Sequence, residues 1–316
     1  MKPVRLRDFI EDRDGWIYAV AAYDNEDRIG CILRYVPDEE GERVDRSGRR
    51  FRKLDFEPAY ALIKEEKPMY LDTLHRVPVS EVCRVLKPEK EFPRIAARDE
   101  RVRELEQILE LPAGESGCTG SLLCGLENES SDIDLVVYGD AWFAAQARLS
   151  RMIREGLISG LSDEMWRRVY EKRRPEITFE SFMRHERRKW NRGEIRGTYF
   201  DLLFTRPYGA LHDTSMTKGR VIGKKRIEAP VTDVSLSFDS PAVYRVDHEE
   251  VSVVLSFTHT YSGQARPGET IEACGICEMH GEELWLVVGT TREARGEYIE
   301  SLTLLEEEKI PAQLIR

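Results

Sequence analysis

Cys118-Thr119-Gly120-Ser121, then Leu122 to Ser131, then Asp132-Ile133-Asp134-Leu135-Val136-Val137 is the stretch on which the reading of this chain turns. A Gly-Ser turn is followed, after a short spacer, by two acids at alternate positions of an apolar strand. Side chains of a strand repeat every two residues, so Asp132 and Asp134 project from one face and Ile133 from the other. Two carboxylates side by side repel unless a positive charge lies between them, and a divalent cation with oxygen ligands is the usual remedy. Upstream, the backbone N–H groups and the hydroxyl of Gly120-Ser121 suit a phosphate. A third acid, Asp201, sits in a second apolar run, Gly197 to Phe204. An unpaired carboxylate in a buried strand is costly, so three of them favour a Mg²⁺ site over mere packing.

Around this stretch the pattern reads as α+β in three segments. Residues 1–92 read as a small α/β module. Within it, Trp16 to Tyr23 and Arg28 to Tyr35 form a hairpin, Asp38 to Arg50 a charged loop, and Phe51 to Phe56 a third strand. Glu57 to Glu65 and Ser80 to Leu86 read as short helices, and Pro88 to Pro93 as a linker. Residues 93–217 hold the motif. Ala96 to Leu111 reads as one helix, Gly117 to Gly120 as a strand-like lead, Leu122 to Leu126 as a helical turn and Asp132 to Tyr138 as a strand. Helices follow over Ala141 to Glu155, Ser162 to Arg173 and Thr178 to Arg192, with Ser162 and Thr178 as N-caps. Residues 218–316 alternate short apolar strands with Gly/Pro turns, as in a small barrel or sandwich.

At 316 residues, 41% hydrophobic and 34% charged, the chain suits a soluble globular protein of several domains. No apolar run is long enough to cross a membrane, and Met1 to Asp8 lacks the apolar core of a signal peptide, so the expected place is the cytoplasm. A net charge of −10 excludes a globally basic nucleic-acid binder and leaves only local patches for such contacts. The six scattered cysteines are expected reduced.

The run from Thr119 to Val137, with Tyr199-Phe200-Asp201-Leu202-Leu203-Phe204, resembles the signature of the DNA polymerase β-like nucleotidyltransferase superfamily. More loosely, the whole chain resembles an uncharacterised archaeal group of predicted nucleotidyltransferases. The specific resemblance covers about 115–140 and 197–206. It implies a mixed sheet with helices and a transfer of NMP from an NTP, such as ATP, to a hydroxyl of RNA, protein or a small molecule. It also implies two Mg²⁺ (or Mn²⁺) ions, with Asp132 and Asp134 holding both and Asp201 one. Gly120 would admit the triphosphate and Ser121 would bond to it.

One departure matters. Relatives often carry a basic residue soon after Gly-Ser, whereas Leu122-Leu123-Cys124-Gly125-Leu126 follows here. The substitute charge is expected from Arg184, Arg187, Arg188, Lys189, Arg192 or Arg196, with Arg196 as the nucleotide-binding choice. Interleaved Glu186 and Glu194 leave open a solvated helix face. Cys274 and Cys277, three apart in a strand, point to opposite faces and so oppose chelation. Tyr244, Phe257, Tyr261 and Trp285 would stack bases if exposed and otherwise belong to the core. The rival to catalysis is a nucleotide- or RNA-binding module built on the same core.

Overall fold

The computed structural model describes residues 3–211, 218–289 and 295–307. The described residues form a mixed α/β structure with three sheets, and the chain divides into two compact units, Met1–Gly160 with Asn191–Met216, and Leu161–Trp190 with Thr217–Arg316. The first unit thus gathers the N-terminal segment and the motif. The helices of residues 161–190, read above with the motif segment, cluster instead with the C-terminal strands.

The first sheet comprises β1 (Phe9–Asp12), β2 (Ile17–Val20), β3 (Arg28–Pro37), β4 (Arg43–Val44), β5 (Arg50–Lys53), β6 (His75–Pro78) and β7 (Val82–Leu86). Their order is β4-β5-β3-β2-β1-β7, with β6 also on β3, and every pairing is antiparallel. The β2/β3 hairpin and the helix α1 (Phe56–Glu66) fall where the sequence puts them. Residues 82–86 are a strand rather than the expected helix. Val82 and Val85 are β-branched, and β7 completes the sheet against β1, with Ile10 opposite Val85. Only a 3₁₀ turn, Val79–Glu81, remains of the helical reading.

The expected linker 88–93 is also corrected, because it opens the helix α2 (Pro88–Arg98). Pro88 stands at the first turn, where a missing N–H costs nothing. The single helix read over 96–111 is two. Asp99 ends α2 and caps α3 (Glu100–Ile108), its carboxylate accepting from the N–H groups of Arg101 and Val102.

The second sheet holds β8 (Ser116–Cys118), β9 (Ile133–Tyr138), β10 (Arg192–Ile195) and β11 (Thr198–Thr205), in the order β10-β11-β9-β8. Only β9 and β11 run parallel. Both are buried along almost their whole length, as expected of strands covered on two faces. A short helix α4 (Gly120–Cys124) joins β8 to the loop before β9, and α5 (Asp140–Arg154) follows β9. Trp142 of α5 is fully buried and donates its indole N–H to the Leu202 carbonyl at 3.2 Å, tying α5 to β11.

In the second unit, α6 (Asp163–Arg173) and α7 (Phe179–Lys189) start at the caps read from sequence, Ser162 and Thr178. The helix expected to reach Arg192 stops at Lys189, where Trp190 turns left-handed (φ 49°). The strands β12 (Arg220–Asp233), β13 (Ala242–Val246), β14 (Val251–Ser256), β15 (Thr270–His280), β16 (Glu283–Val288) and β17 (Tyr298–Ser301) precede a last helix, α8 (Leu302–Glu307). Their order, β12-β13-β14-β16-β15, closes because β12 also pairs with β15, giving a five-stranded barrel with β17 outside on β15. Its core includes Tyr244, Tyr261 and Cys277, so these two aromatics are packing residues. Cys274 lies off that core, its Sγ 3.5 Å from the Gly296 carbonyl, as the strand alternation requires. Phe257 is exposed, and Trp285 stacks on His280. Among the described residues no helix is long and apolar enough to cross a membrane.

The position of β8 depends on a close backbone approach. A Cβ on Gly117 would meet the Pro88 carbonyl carbon at 2.4 Å. Gly117→Ala is therefore expected to cost about 1–3 kcal/mol by overpacking. Urea unfolding would show this as a lower midpoint at constant m-value, and an unchanged midpoint would mean that α2 and β8 yield freely.

Candidate active site

The motif folds as a turn, a helical turn, a loop and a strand. Thr119 leaves β8 with its N–H on the Asp134 carbonyl at 2.9 Å and its hydroxyl on the Arg7 carbonyl at 2.7 Å. Gly120 then takes φ +67°, a left-handed conformation that favours glycine. A Cβ there would lie 2.5 Å from Asp134 Oδ2, so glycine is required twice over, by the turn and by the carboxylate beside it. Ser121 follows in the first turn of α4, half-buried. Gly125, also left-handed, ends α4. Ser131 shapes the loop: its Oγ accepts from the Asn128 N–H at 2.9 Å and from Arg43 at 3.2 Å. The chain is thereby delivered to Asp132, which is exposed at the mouth of β9.

Across the sheet the three central strands align a row of charges. Asp134 on β9 is the register partner of Asp201 on β11, and Asp201 is the register partner of Arg192 on β10. Residues directly opposite on neighbouring strands share a face, so the row reads cation, anion, anion. Asp201 is buried, with Oδ1 accepting from Arg192 Nε at 2.6 Å and Oδ2 from the Tyr199 hydroxyl at 2.8 Å. Asp134 is partly buried, and among the described residues no hydrogen bond reaches its carboxylate. Its pKa is pushed up to about 6, chiefly by burial and then by the Asp201 charge. Arg7 pulls the other way, Asp132 adds to the rise, and Lys53 opposes it.

The structure thus brings Asp134 and Asp201 together, with Asp132 two residues away and Gly120 in contact with Asp134. It does not bring Arg196 to them. Arg196 and Gly197, both with positive φ (49° and 75°), are the two central residues of the tight β10/β11 hairpin. At that tip Arg196 pairs with Glu100 at 2.8 Å and Glu104 at 2.7 Å, both on α3. The nearby strand position goes to Arg192, which the sequence had placed at the end of a helix. Its signal was available: a two-residue turn at Arg196-Gly197 puts residue 192 opposite residue 201. The rest of the basic stretch lies in the other unit, where carboxylates hold each residue. Arg184 meets Glu180 at 2.7 Å, Arg187 meets Asp163 at 2.5 Å, Arg188 meets Glu269 at 2.7 Å, and Lys189 meets Glu186 at 2.6 Å.

Two features bear on a metal ion. Among the described residues no group of three His, Cys, Asp or Glu side chains stands ready to hold one. Asp201 is turned to Arg192 and Tyr199 instead. Yet Asp134, crowded by a second carboxylate and without a hydrogen-bonding donor, is the kind of oxygen donor that a divalent cation satisfies. A cation at this place would be held by Asp132 and Asp134, with Asp201 offering the lone pairs that its two hydrogen bonds leave over.

No family model and no solved structure matches the chain. It is 36% identical to the uncharacterised protein MJ1086 of Methanocaldococcus jannaschii, in an alignment 334 positions long, gaps included, that covers 94% of this chain and 98% of that one. The chain belongs to the MJ1086 family. The similarity to MJ1086 extends over both units and not over the motif segment alone.

The raised pKa of Asp134 sets a pH dependence. A carboxyl protonated more readily in the native than in the unfolded chain makes stability fall as pH rises from about 4 to about 6. In metal-free buffer, Asp134→Asn is expected to stabilise the protein at pH 7 by up to about 3 kcal/mol. It should also flatten the stability profile across that window. Urea titrations of both proteins at pH 4 and pH 7 check this, and parallel profiles would refute it.

Proposed function

We propose that this protein is a metal-dependent nucleotidyltransferase, moving NMP from an NTP to an acceptor hydroxyl with release of pyrophosphate. The observation that carries the reading is the register of β9 and β11. It sets Asp134 opposite Asp201, while Gly120 lies against the Asp134 carboxylate. Phosphoryl-type transfer asks a protein mainly for positioning and charge neutralisation, and this row of groups is suited to both. Asp132 and Asp134 would hold Mg²⁺ or Mn²⁺, which when bound neutralises phosphate charge and activates the attacking oxygen.

The chain's own groups do the rest. Gly120, with no side chain, lets the backbone approach a triphosphate, and the Ser121 hydroxyl donates to a phosphate oxygen. Arg192 and Tyr199 fix the orientation of the Asp201 carboxylate, one holding each oxygen. Asp201 would then take the proton of the acceptor hydroxyl as its oxygen bonds to the α-phosphorus and the bond to pyrophosphate breaks. The connectivity of the barrel in the second unit is that of OB-type barrels, scaffolds that bind oligonucleotides and oligosaccharides. By fold-level analogy this favours RNA over protein as acceptor.

The engagement of Asp201 by Arg192 and Tyr199 also supports a second reading, a nucleotide- or RNA-binding module without turnover. Incubation with labelled NTPs and Mg²⁺, in the presence of total RNA, separates the two. Transfer predicts label incorporation and pyrophosphate release, both falling at least about 100-fold in Asp132→Ala/Asp134→Ala. Equal labelling by the double variant would sink the metal-dependent mechanism. Nucleotide binding indifferent to Mg²⁺, with no pyrophosphate formed, would select the binding module.

A further inference from the structure

The transfer reading leaves one requirement unmet: positive charge for the phosphates. Gly120 to Ser131 contains no basic residue, Arg192 is committed to Asp201, and Arg196 is held at the hairpin tip by two glutamates. The other basic residues of the 184–196 stretch are paired with carboxylates in the second unit.

The N-terminal sheet supplies an alternative. Phe51 and Lys53 stand two apart on β5 and therefore project from one face. Phe51 is fully buried in a cluster with Leu123 and Leu126, on and just after the helix that begins at Gly120-Ser121. Tyr35, the register partner of Lys53 on β3, lies in the same cluster. Lys53 thus leaves the sheet on the face packed against α4, at the strand's end, with its side chain exposed. Arg43 of β4 ties the same edge to the motif loop, donating to the Leu126 carbonyl and the Ser131 hydroxyl, each at 3.2 Å.

Arg7 approaches from the other side. Its carbonyl holds the Thr119 hydroxyl, one residue before Gly120, and its N–H bonds to the Val20 carbonyl at 3.0 Å. These bonds keep Arg7 at φ +73°, a conformation costly for a residue with a side chain. Its Nε lies 3.4 Å from the Phe204 carbonyl, so the side chain reaches over to β11.

We propose that Lys53 and Arg7 form the cationic wall that receives the triphosphate of the nucleotide, which makes the N-terminal sheet a working part of the site. This rests on the nucleotidyl-transfer reading, and binding measurements separate the two. The probes are inorganic tripolyphosphate and the four ribonucleosides, titrated by calorimetry with and without Mg²⁺. The proteins are the wild type, Lys53→Ala, Lys53→Arg and Arg7→Gly, the last chosen because glycine accepts the positive φ.

Lys53→Ala is expected to weaken tripolyphosphate about 10-fold, the effect of losing one charge-assisted contact. Nucleoside binding and melting temperature should stay unchanged, and Lys53→Arg should recover most of the loss. Arg7→Gly should act in the same direction. In turnover assays KM for the NTP rises while kcat changes little. Wild-type tripolyphosphate affinity in both Lys53→Ala and Arg7→Gly would overturn the wall. A wild type that binds tripolyphosphate, weakened by the variants, yet never releases pyrophosphate would keep the wall and remove the transfer reading. A wild type that binds no tripolyphosphate would overturn both.

Discussion

The parallel pairing of β9 with β11 sets the conditions that the rest of the first unit has to meet. It brings two carboxylates, Asp134 and Asp201, to opposite positions one strand spacing apart. At about 4.8 Å and an effective dielectric constant of about 20, two like charges repel by about 3 kcal/mol. Arg192, one strand further along the same row, offsets part of this from the Asp201 side. Among the described residues no such ion pair serves Asp134, whose proton affinity is raised first by burial and then by the Asp201 charge, against the pull of Arg7 and Lys53. The sheet therefore carries at its centre a carboxylate that gains its charge only at a cost in stability.

The opposite end of the same strands is secured by a different device. Tyr138, the last residue of β9, stacks on the buried guanidinium of Arg5, which lies between the Tyr138 and Tyr208 rings at 3.5 and 3.8 Å. Arg5 also meets Glu89 of α2 at 3.2 Å, and Lys87 pairs with Asp8 at 2.6 Å. Burying such pairs gains little net energy, but breaking one leaves a lone buried charge. They hold the N-terminal strand, α2 and the end of β9 in one arrangement. The seat of Arg7, between Arg5 and Asp8, depends on that arrangement.

Much of this was legible in the sequence because local chemistry dictates it. Apolar periodicity located β2, β3, β9, α5 and most barrel strands, and Ser162 and Thr178 marked their helices by side-chain capping. Asp132, Asp134 and Asp201 stood out as acids in apolar strands, and the register brings the latter two together. What was not legible depends on partners distant in sequence. Residues 82–86 become a strand only because β1 offers an edge. Arg192 was assigned to a helix because the breaking turn at Trp190 has no glycine or proline to announce it. Lys53 and Arg7 gave no signal at all, since their relation to the motif exists only once the N-terminal sheet is packed on α4.

The Arg196-Gly197 hairpin carries a consequence beyond its own neighbourhood. Because the turn contains two residues and no more, it indexes β10 against β11 as a ratchet tooth indexes a wheel. One inserted residue would slide Gly193 or Asn191 into the place opposite Asp201 and swing the guanidinium to the other face of the sheet. The electrostatic balance of the carboxylate row is thus written in the length of a surface loop. Drift in that loop's length, usually harmless on a protein surface, would here rewire the centre of the molecule.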